Sequence, residues 1–237
     1  MDSLASLRLR QGVDVWVVAL DADVPDTLSP SDRVRANRRA GDERRRFIAS
    51  HSAVRAIIAD YLDLAADAVD LDAPYGQPLA VADGALAVSL AHAGERALIA
   101  VATAPIGVDV EQLANLPAEE VEEMAAFCLS PGELDELAAL PAEGQQVAFL
   151  RLWTRKEAYL KACGRGLADQ ALAAVEVGLA RDATAVAPTG ATLRLVDLDP
   201  EPGYVGAIAT VSTGALQLRP WAETRSATVG KSDHAVG

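Results

Sequence analysis

The hydrophobic patterning predicts an α+β fold, either one large domain or two similar α/β halves packed as a pseudo-dimer. Three observations carry that expectation. The series strand, long helix, strands occurs twice; each long helix follows a charged or polar lead and carries an early phenylalanine, Phe47 or Phe149. A chain of 237 residues is also long enough for two packed halves of about 110 residues each. The halves are placed at 1–105 and 106–222, and 223–237 is left as a tail.

Val13-Asp14-Val15-Trp16-Val17-Val18-Ala19-Leu20 is apolar and β-branched and reads as the first strand. After the breaker cluster Pro25 to Pro30, helical spacing runs from Ser31 to Leu64. Phe47, Val54, Ile57, Ile58, Tyr61 and Leu62 form its apolar face, as one long helix or two. Pro74 to Pro78 is a turn. Leu86–Leu90 and Ala97–Val101 read as a hairpin across Ala93-Gly94-Glu95, followed by a strand over Ile106–Val110. The second half opens with helical patterns over Ala118–Phe127, Pro131–Leu140 and Gln145–Cys163. Ser130 is placed as N-cap with Pro131 at the first helical position, and Gly164 and Gly166 end the longest helix. Strand-like runs return at Leu172–Val177, Thr192–Val196, Tyr204–Val211 and Leu216–Leu218. Glu223 to Gly237 is small, polar and aperiodic, the composition of a disordered tail.

Apolar residues make up 51% of the chain, yet aromatics are only 4%, which leaves few platforms for stacking bases. A net charge of −13 argues against an extended phosphate-backbone footprint and against anionic membranes as the main partner. Against this average stands a basic island of seven arginines from Arg33 to Arg46, suited to a small phosphorylated ligand or an acidic protein. The longest apolar run, Ala97 to Val108, is broken by Pro105 and is too short to span a bilayer. Met1 to Ser6 lacks the basic stretch and long apolar core of a secretory leader. Cys128 and Cys163 lack metal-ligand spacing, so two reduced thiols in a cytoplasmic protein are expected.

Two of the three lysines, Lys156 and Lys161, fall in the segment Trp153-Thr154-Arg155-Lys156-Glu157-Ala158-Tyr159-Leu160-Lys161. On a helix Trp153, Glu157 and Lys161 share one side, and Glu157 before Lys161 is the favourable order for an ion pair. A surface salt bridge and a functional site both fit that spacing. In Gly107-Val108-Asp109-Val110-Glu111, read as a strand, Asp109 and Glu111 share a face opposite Val108 and Val110. Two acids so placed repel unless they are solvated at an edge or share a hard cation such as Mg²⁺. His92, just past the strand Leu86–Leu90, is either structural or a donor to phosphate. Glu133 sits at the third position of a helix beginning at Ser130, an ordinary capping place.

Taken together, Gly107-Val108-Asp109-Val110-Glu111, a gap of about forty residues and the Trp153–Lys161 segment resemble the paired signature of 4′-phosphopantetheinyl transferases. Length and the two-half layout look like the longer, monomeric surfactin-synthetase-activating type rather than the short trimeric holo-acyl-carrier-protein synthase. The resemblance covers roughly Arg46 to Leu167. It implies transfer of the phosphopantetheine arm of coenzyme A to a serine of an acyl or peptidyl carrier protein, with 3′,5′-ADP leaving. It also implies Asp109, Glu111 and Glu157 as Mg²⁺ carboxylates, Lys161 on the transferring phosphate, and Glu133 as the base for the carrier serine. Arg46, His92 and Lys156 are implied as contacts to coenzyme A phosphates; Met124, Phe127 and Cys128, between the two signatures, are candidates for carrier docking because they lie near Glu133. Ser89 to Ala93 resembles the family's Asn-hydrophobe-Ser-His-Ser turn with Ser89 for Asn and alanines for both serines. Gly76-Gln77-Pro78 resembles its Gly-Lys-Pro turn without the lysine, a loss that the arginine island could offset. A non-catalytic coenzyme A or carrier-binding module would be expected to have lost an acid, and all three are present. Another Mg²⁺-dependent phosphoryl transferase would be expected to carry a phosphate-cradling glycine loop, and none is found.

Overall fold

The computed structural model describes residues 9, 12–72, 79–81, 84, 86–113, 117–164 and 172–221. The Gly76-Gln77-Pro78 turn, Gly166 and the 223–237 tail lie outside them. In chain order the described elements are β1 (Val13–Ala19), α1 (Pro30–Ala36), α2 (Gly41–Leu62), β2 (Leu71–Asp72), β3 (Ala80–Val81), β4 (Ala87–Ala93), β5 (Arg96–Ala102) and β6 (Ile106–Gln112). There follow α3 (Ala118–Cys128), α4 (Pro131–Ala138), α5 (Ala142–Ala162), β7 (Thr184–Val186), β8 (Thr192–Leu198), β9 (Tyr204–Thr210) and β10 (Leu216–Pro220). The architecture is α+β, as the patterning predicts.

The 31–64 pattern resolves into two helices. Ser29 caps α1 by accepting from Asp32 N–H with Pro30 in the first turn, and the chain breaks at Asn37 before α2 begins at Gly41. The expected hairpin is present as β4 and β5, turning through Gly94 at φ +50°, where glycine meets no steric penalty.

Two sheets result. The first has the order β10-β1-β5-β4-β3-β2, the second β6-β9-β8-β7. Alternation in each central strand sends one set of side chains to a helix and the other to the facing sheet. On the first sheet Val18, Val88, Ile99 and Val101 pack with Val54, Ile57 and Ile58 of α2. On the second, Leu193, Leu195, Ala207 and Ala209 pack with Phe149, Leu152 and Leu160 of α5. Between the sheets lie Val13, Val15, Leu98, Ala100, Val108, Val110 and Ile208. The stack is therefore α2, sheet, sheet, α5. Each fully buried large side chain contributes about 1.5–3 kcal/mol.

Two expectations change. Leu172–Val177 is no strand: it opens as a short 3₁₀ turn, Leu172–Ala174, and continues irregularly, because side chains from α4 and α5 take up its backbone groups. The last strand, β10, does not stay with the second half but pairs parallel to β1 in the first sheet.

Candidate active site

β6 and α5 bring the two sequence signatures together. Val108 and Val110 are buried between the sheets, so Gly107, Asp109 and Glu111 face α5. Contact is closest at Gly107, where an added Cβ would overlap Ala158 O and lie 2.9 Å from Lys161 Cβ. Only glycine permits this approach, and the approach puts Lys161 over the strand. Its Nζ donates to Asp109 Oδ1 at 2.7 Å and to Val108 O at 3.1 Å. Trp153 Nε1 donates to Glu111 Oε1 at 3.1 Å.

Although β6 is the edge of its sheet, α5 covers its acidic face, and Asp109 and Glu157 are each 7% exposed. A solvated outer face is thereby ruled out. Burial first, then neighbouring acids, pushes the carboxyls toward the protonated form. Asp109 is raised by burial against the pull of Lys161; Glu111 is raised by burial and Asp109; Glu157 is pushed up to about 7 by burial, Asp109 and Glu111. Lys161 is the cation all three face.

Asp109 Oδ2 and Glu157 Oε1 are buried without a hydrogen-bond partner. An orphaned buried carboxylate oxygen is costly unless something positive fills the space beside it. A hard divalent cation with oxygen ligands fits this donor set, and Asp109, Glu111 and Glu157 would hold it. Among the described residues no three His, Cys, Asp or Glu side chains stand together closely enough to hold a metal ion; the three acids must draw together to do so, and the Lys161 ammonium is seated on Asp109.

The first half completes the site. Val108 N–H donates to Ser89 Oγ at 3.0 Å, fixing β6 to β4 across the junction. His92, on β4 and exposed at one edge, is held toward its neutral form by partial burial of its ring and then by the nearby charges of Lys161, Arg46 and Arg39. Basic groups from both halves thus gather around His92, with Lys161 joining them to the acids. Arg46 is already engaged: its Nε and Nη2 donate to Glu95 Oε1 at 3.0 and 2.6 Å, and Arg45 shares that carboxylate. Ser89, Gly107 and Glu95 have roles the sequence did not disclose. Only Gly107 carried a signal, as the one residue without a side chain on the acidic face of a β-branched strand.

Glu133 and Lys156 do not join this group. Their side chains are 1% and 0% exposed and meet at 2.6 Å. Glu133 Oε2 also accepts from Ser130 N–H, and Oε1 accepts from Val177 and Gly178 N–H at 2.8 and 3.3 Å. Lys156 Nζ further donates to Leu172 O at 3.0 Å and to Val175 O. Every acceptor site of one and every donor of the other is used. This corrects both expectations: Glu133 has no free lone pair for a serine proton, and Lys156 faces neither solvent nor a ligand. Cys128 is corrected likewise, being fully buried with its thiol pushed up to about 11 by burial. Phe127 is 81% and Met124 39% exposed, so these two of the carrier-docking candidates remain at the surface.

Residues 105–192 match the model of the 4′-phosphopantetheinyl transferase superfamily. The 4′-phosphopantetheinyl transferase HetI of Nostoc sp. is 35% identical over 218 residues, covering 87% of this chain and 90% of that protein. The chain belongs to the 4′-phosphopantetheinyl transferase superfamily. A second superfamily member, the 4′-phosphopantetheinyl transferase of Bacillus subtilis, is 30% identical over 157 residues, covering 61% of this chain and 68% of that one. The holo-[acyl-carrier-protein] synthase structure of Thermotoga maritima aligns with 45% of this chain and 61% of its own at a TM-score of 0.35 and 17% identity. The superfamily assignment rests on the sequence relatives. Among the described residues no helix is long and apolar enough to cross a membrane.

Proposed function

We propose that this 4′-phosphopantetheinyl transferase moves the phosphopantetheine arm of coenzyme A onto a serine of an apo carrier protein, acyl or peptidyl, with Mg²⁺ held by Asp109, Glu111 and Glu157. The observation that carries the reading is the convergence of three acids, two of them buried with orphaned oxygens, on Lys161 beside His92. Bound Mg²⁺ would neutralise charge on the pyrophosphate and polarise the bond to the leaving group. The serine oxygen forms a bond to the β-phosphorus as the bond to the 3′,5′-ADP oxygen breaks, and the serine proton leaves to solvent or a nearby acceptor. Lys161 stabilises charge gathering on the transferring phosphate, while His92 and, once released from Glu95, Arg46 bind phosphate oxygens. Orientation and charge neutralisation are what this displacement needs from a protein.

The longer, surfactin-synthetase-activating type is favoured, since a six-stranded and a four-stranded sheet lie within one chain and the Bacillus subtilis relative covers 61% of it. On that reading the protein is a cytoplasmic monomer, which light scattering tests. Exposed Phe127 and Met124 on α3 are proposed to meet the carrier. Phe127→Ala should raise the KM for carrier several-fold and leave coenzyme A affinity unchanged. The deciding experiment incubates the protein with coenzyme A, Mg²⁺ and a panel of apo carriers and follows the arm by intact mass. No mass gain on any carrier would sink the assignment.

A further inference from the structure

We infer that the buried Glu133–Lys156 pair is a positioning device for the metal carboxylates rather than part of the chemistry, a proposal that rests on the metal reading above. Lys156 immediately precedes Glu157 on α5, so any rotation of the helix that moves one moves the other. One side of α5 lies on β6, with Glu157 and Lys161 over Asp109 and Glu111. Its opposite side is strapped by residues 172–180. Lys156 holds the carbonyls of Leu172 and Val175, and Arg155, 1% exposed, holds those of Gly178 and Ala180. Glu133 of α4 grips the same strap through Val177 and Gly178 N–H and closes on Lys156. Ser130 Oγ adds a bond to Glu176, and Glu136 one to Leu179 N–H.

The strap, α4 and α5 thus meet at one buried ion pair with no unused donor or acceptor, flanked by the bonds of Arg155, Ser130 and Glu136. Such a pair fixes geometry strongly, because removing one partner strands a buried charge, whereas removing both charges is often close to neutral. It sets the rotation of α5, and through it the distance of Glu157 and Lys161 from the acids of β6.

The test compares Glu133→Gln, Lys156→Met and the double variant with the parent protein. Readouts are melting temperature in chelator, Mg²⁺ affinity by calorimetry without carrier, and turnover per folded molecule. Positioning predicts that each single change weakens Mg²⁺ binding about 10–100-fold, and that the double variant loses less affinity, melting temperature and turnover than the two single losses combined. If Glu133 were the base, Glu133→Gln would bind Mg²⁺ normally yet lose turnover, and the double variant would be as inactive; that result overturns the proposal. A lowered melting temperature with unchanged Mg²⁺ affinity and unchanged turnover also overturns it. Should a single variant fail to fold, the double decides: Mg²⁺ affinity and turnover falling together support positioning, parent-like affinity without turnover refutes it. A parent protein that takes up no Mg²⁺ would overturn the metal reading and this proposal together, and is told apart because it shows before any variant is compared.

Discussion

Three acids and a lysine meet where β6 packs on α5, with Asp109 and Glu157 buried and Glu111 and Lys161 partly so, so the site's energetics depend on which of them carry charge. Asp109 and Glu157 each leave one oxygen without a partner. Asp109→Asn and Glu157→Gln keep the volume and remove charge. Each should lower turnover by about 10²–10³-fold, the scale expected when one charged group of a transition-state site is lost, and calorimetry should show weakened Mg²⁺ binding. The same acids predict a pH effect in metal-free protein. Glu157 is moved from its ordinary 4.5 to about 7 in the fold. Between those values the folded protein keeps a proton that the unfolded chain has released, so stability is full below the lower value and declines as pH rises through the upper one. Asp109 and Glu111 are shifted the same way and add to the slope. In chelator the melting temperature should therefore fall from about pH 5 to about pH 8, with a smaller slope in Glu157→Gln or with Mg²⁺ present. A flat profile in chelator would contradict the raised carboxyls.

At the scale of elements, the site depends on β6 meeting α5 without a side chain between them. Gly107→Ala would drive a methyl into Ala158 O, so α5 must shift from the strand and carry Lys161 and Glu157 with it. The expected cost is about 1–3 kcal/mol of stability, as for overpacking elsewhere, together with weaker Mg²⁺ binding; denaturant melts and calorimetry on the same sample check both. Unchanged Mg²⁺ affinity would show that the close approach does not set the site. The acids were legible in the sequence for a related reason. A strand and a helix have fixed periods, so Asp109 with Glu111, and Glu157 with Lys161, had to share faces wherever those elements docked. Segment 172–177 was not legible, because its alternation of Leu172, Val175 and Val177 looks like a strand while its backbone partners are side chains distant in sequence. Glu133 was misread for the same reason. Its capping position was local and visible, whereas the bonds to Lys156, Val177 and Gly178 that exhaust its oxygens arise only on folding.

Across the whole molecule the two halves are interlocked rather than merely adjacent, an outcome that no local pattern announced. β10 follows the second sheet in sequence yet lies parallel to β1 in the first, with Val13 to Val17 in register with Leu216 to Pro220. Arg219 on that strand reaches Asp14 at 3.3 Å, and Asp14 also accepts from Tyr61 Oη of α2 at 2.6 Å. Trp16 Nε1 donates to the same Tyr61 oxygen at 3.2 Å. Asp14, 7% exposed, is therefore the node joining the last strand, the first strand and the long helix of the first half. The apolar layer between the sheets adds Val13, Val15, Val108, Val110 and Ile208 from both halves. Neither half can unfold without exposing that layer and breaking the β1–β10 pairing, so a single cooperative transition is expected. Fluorescence of Trp153, isolated by replacing Trp16 and Trp221, should give the same midpoint in urea as far-UV circular dichroism. Asp14→Ala removes the acceptor of the buried Tyr61 hydroxyl's proton and the carboxylate beside Arg219, at a cost of about 1–3 kcal/mol. Because the halves are linked, that cost should lower the midpoint seen by Trp153 as much as the midpoint seen by circular dichroism, although Trp153 lies in the other half. Separate midpoints, or a Trp153 signal indifferent to Asp14→Ala, would show that the halves unfold independently.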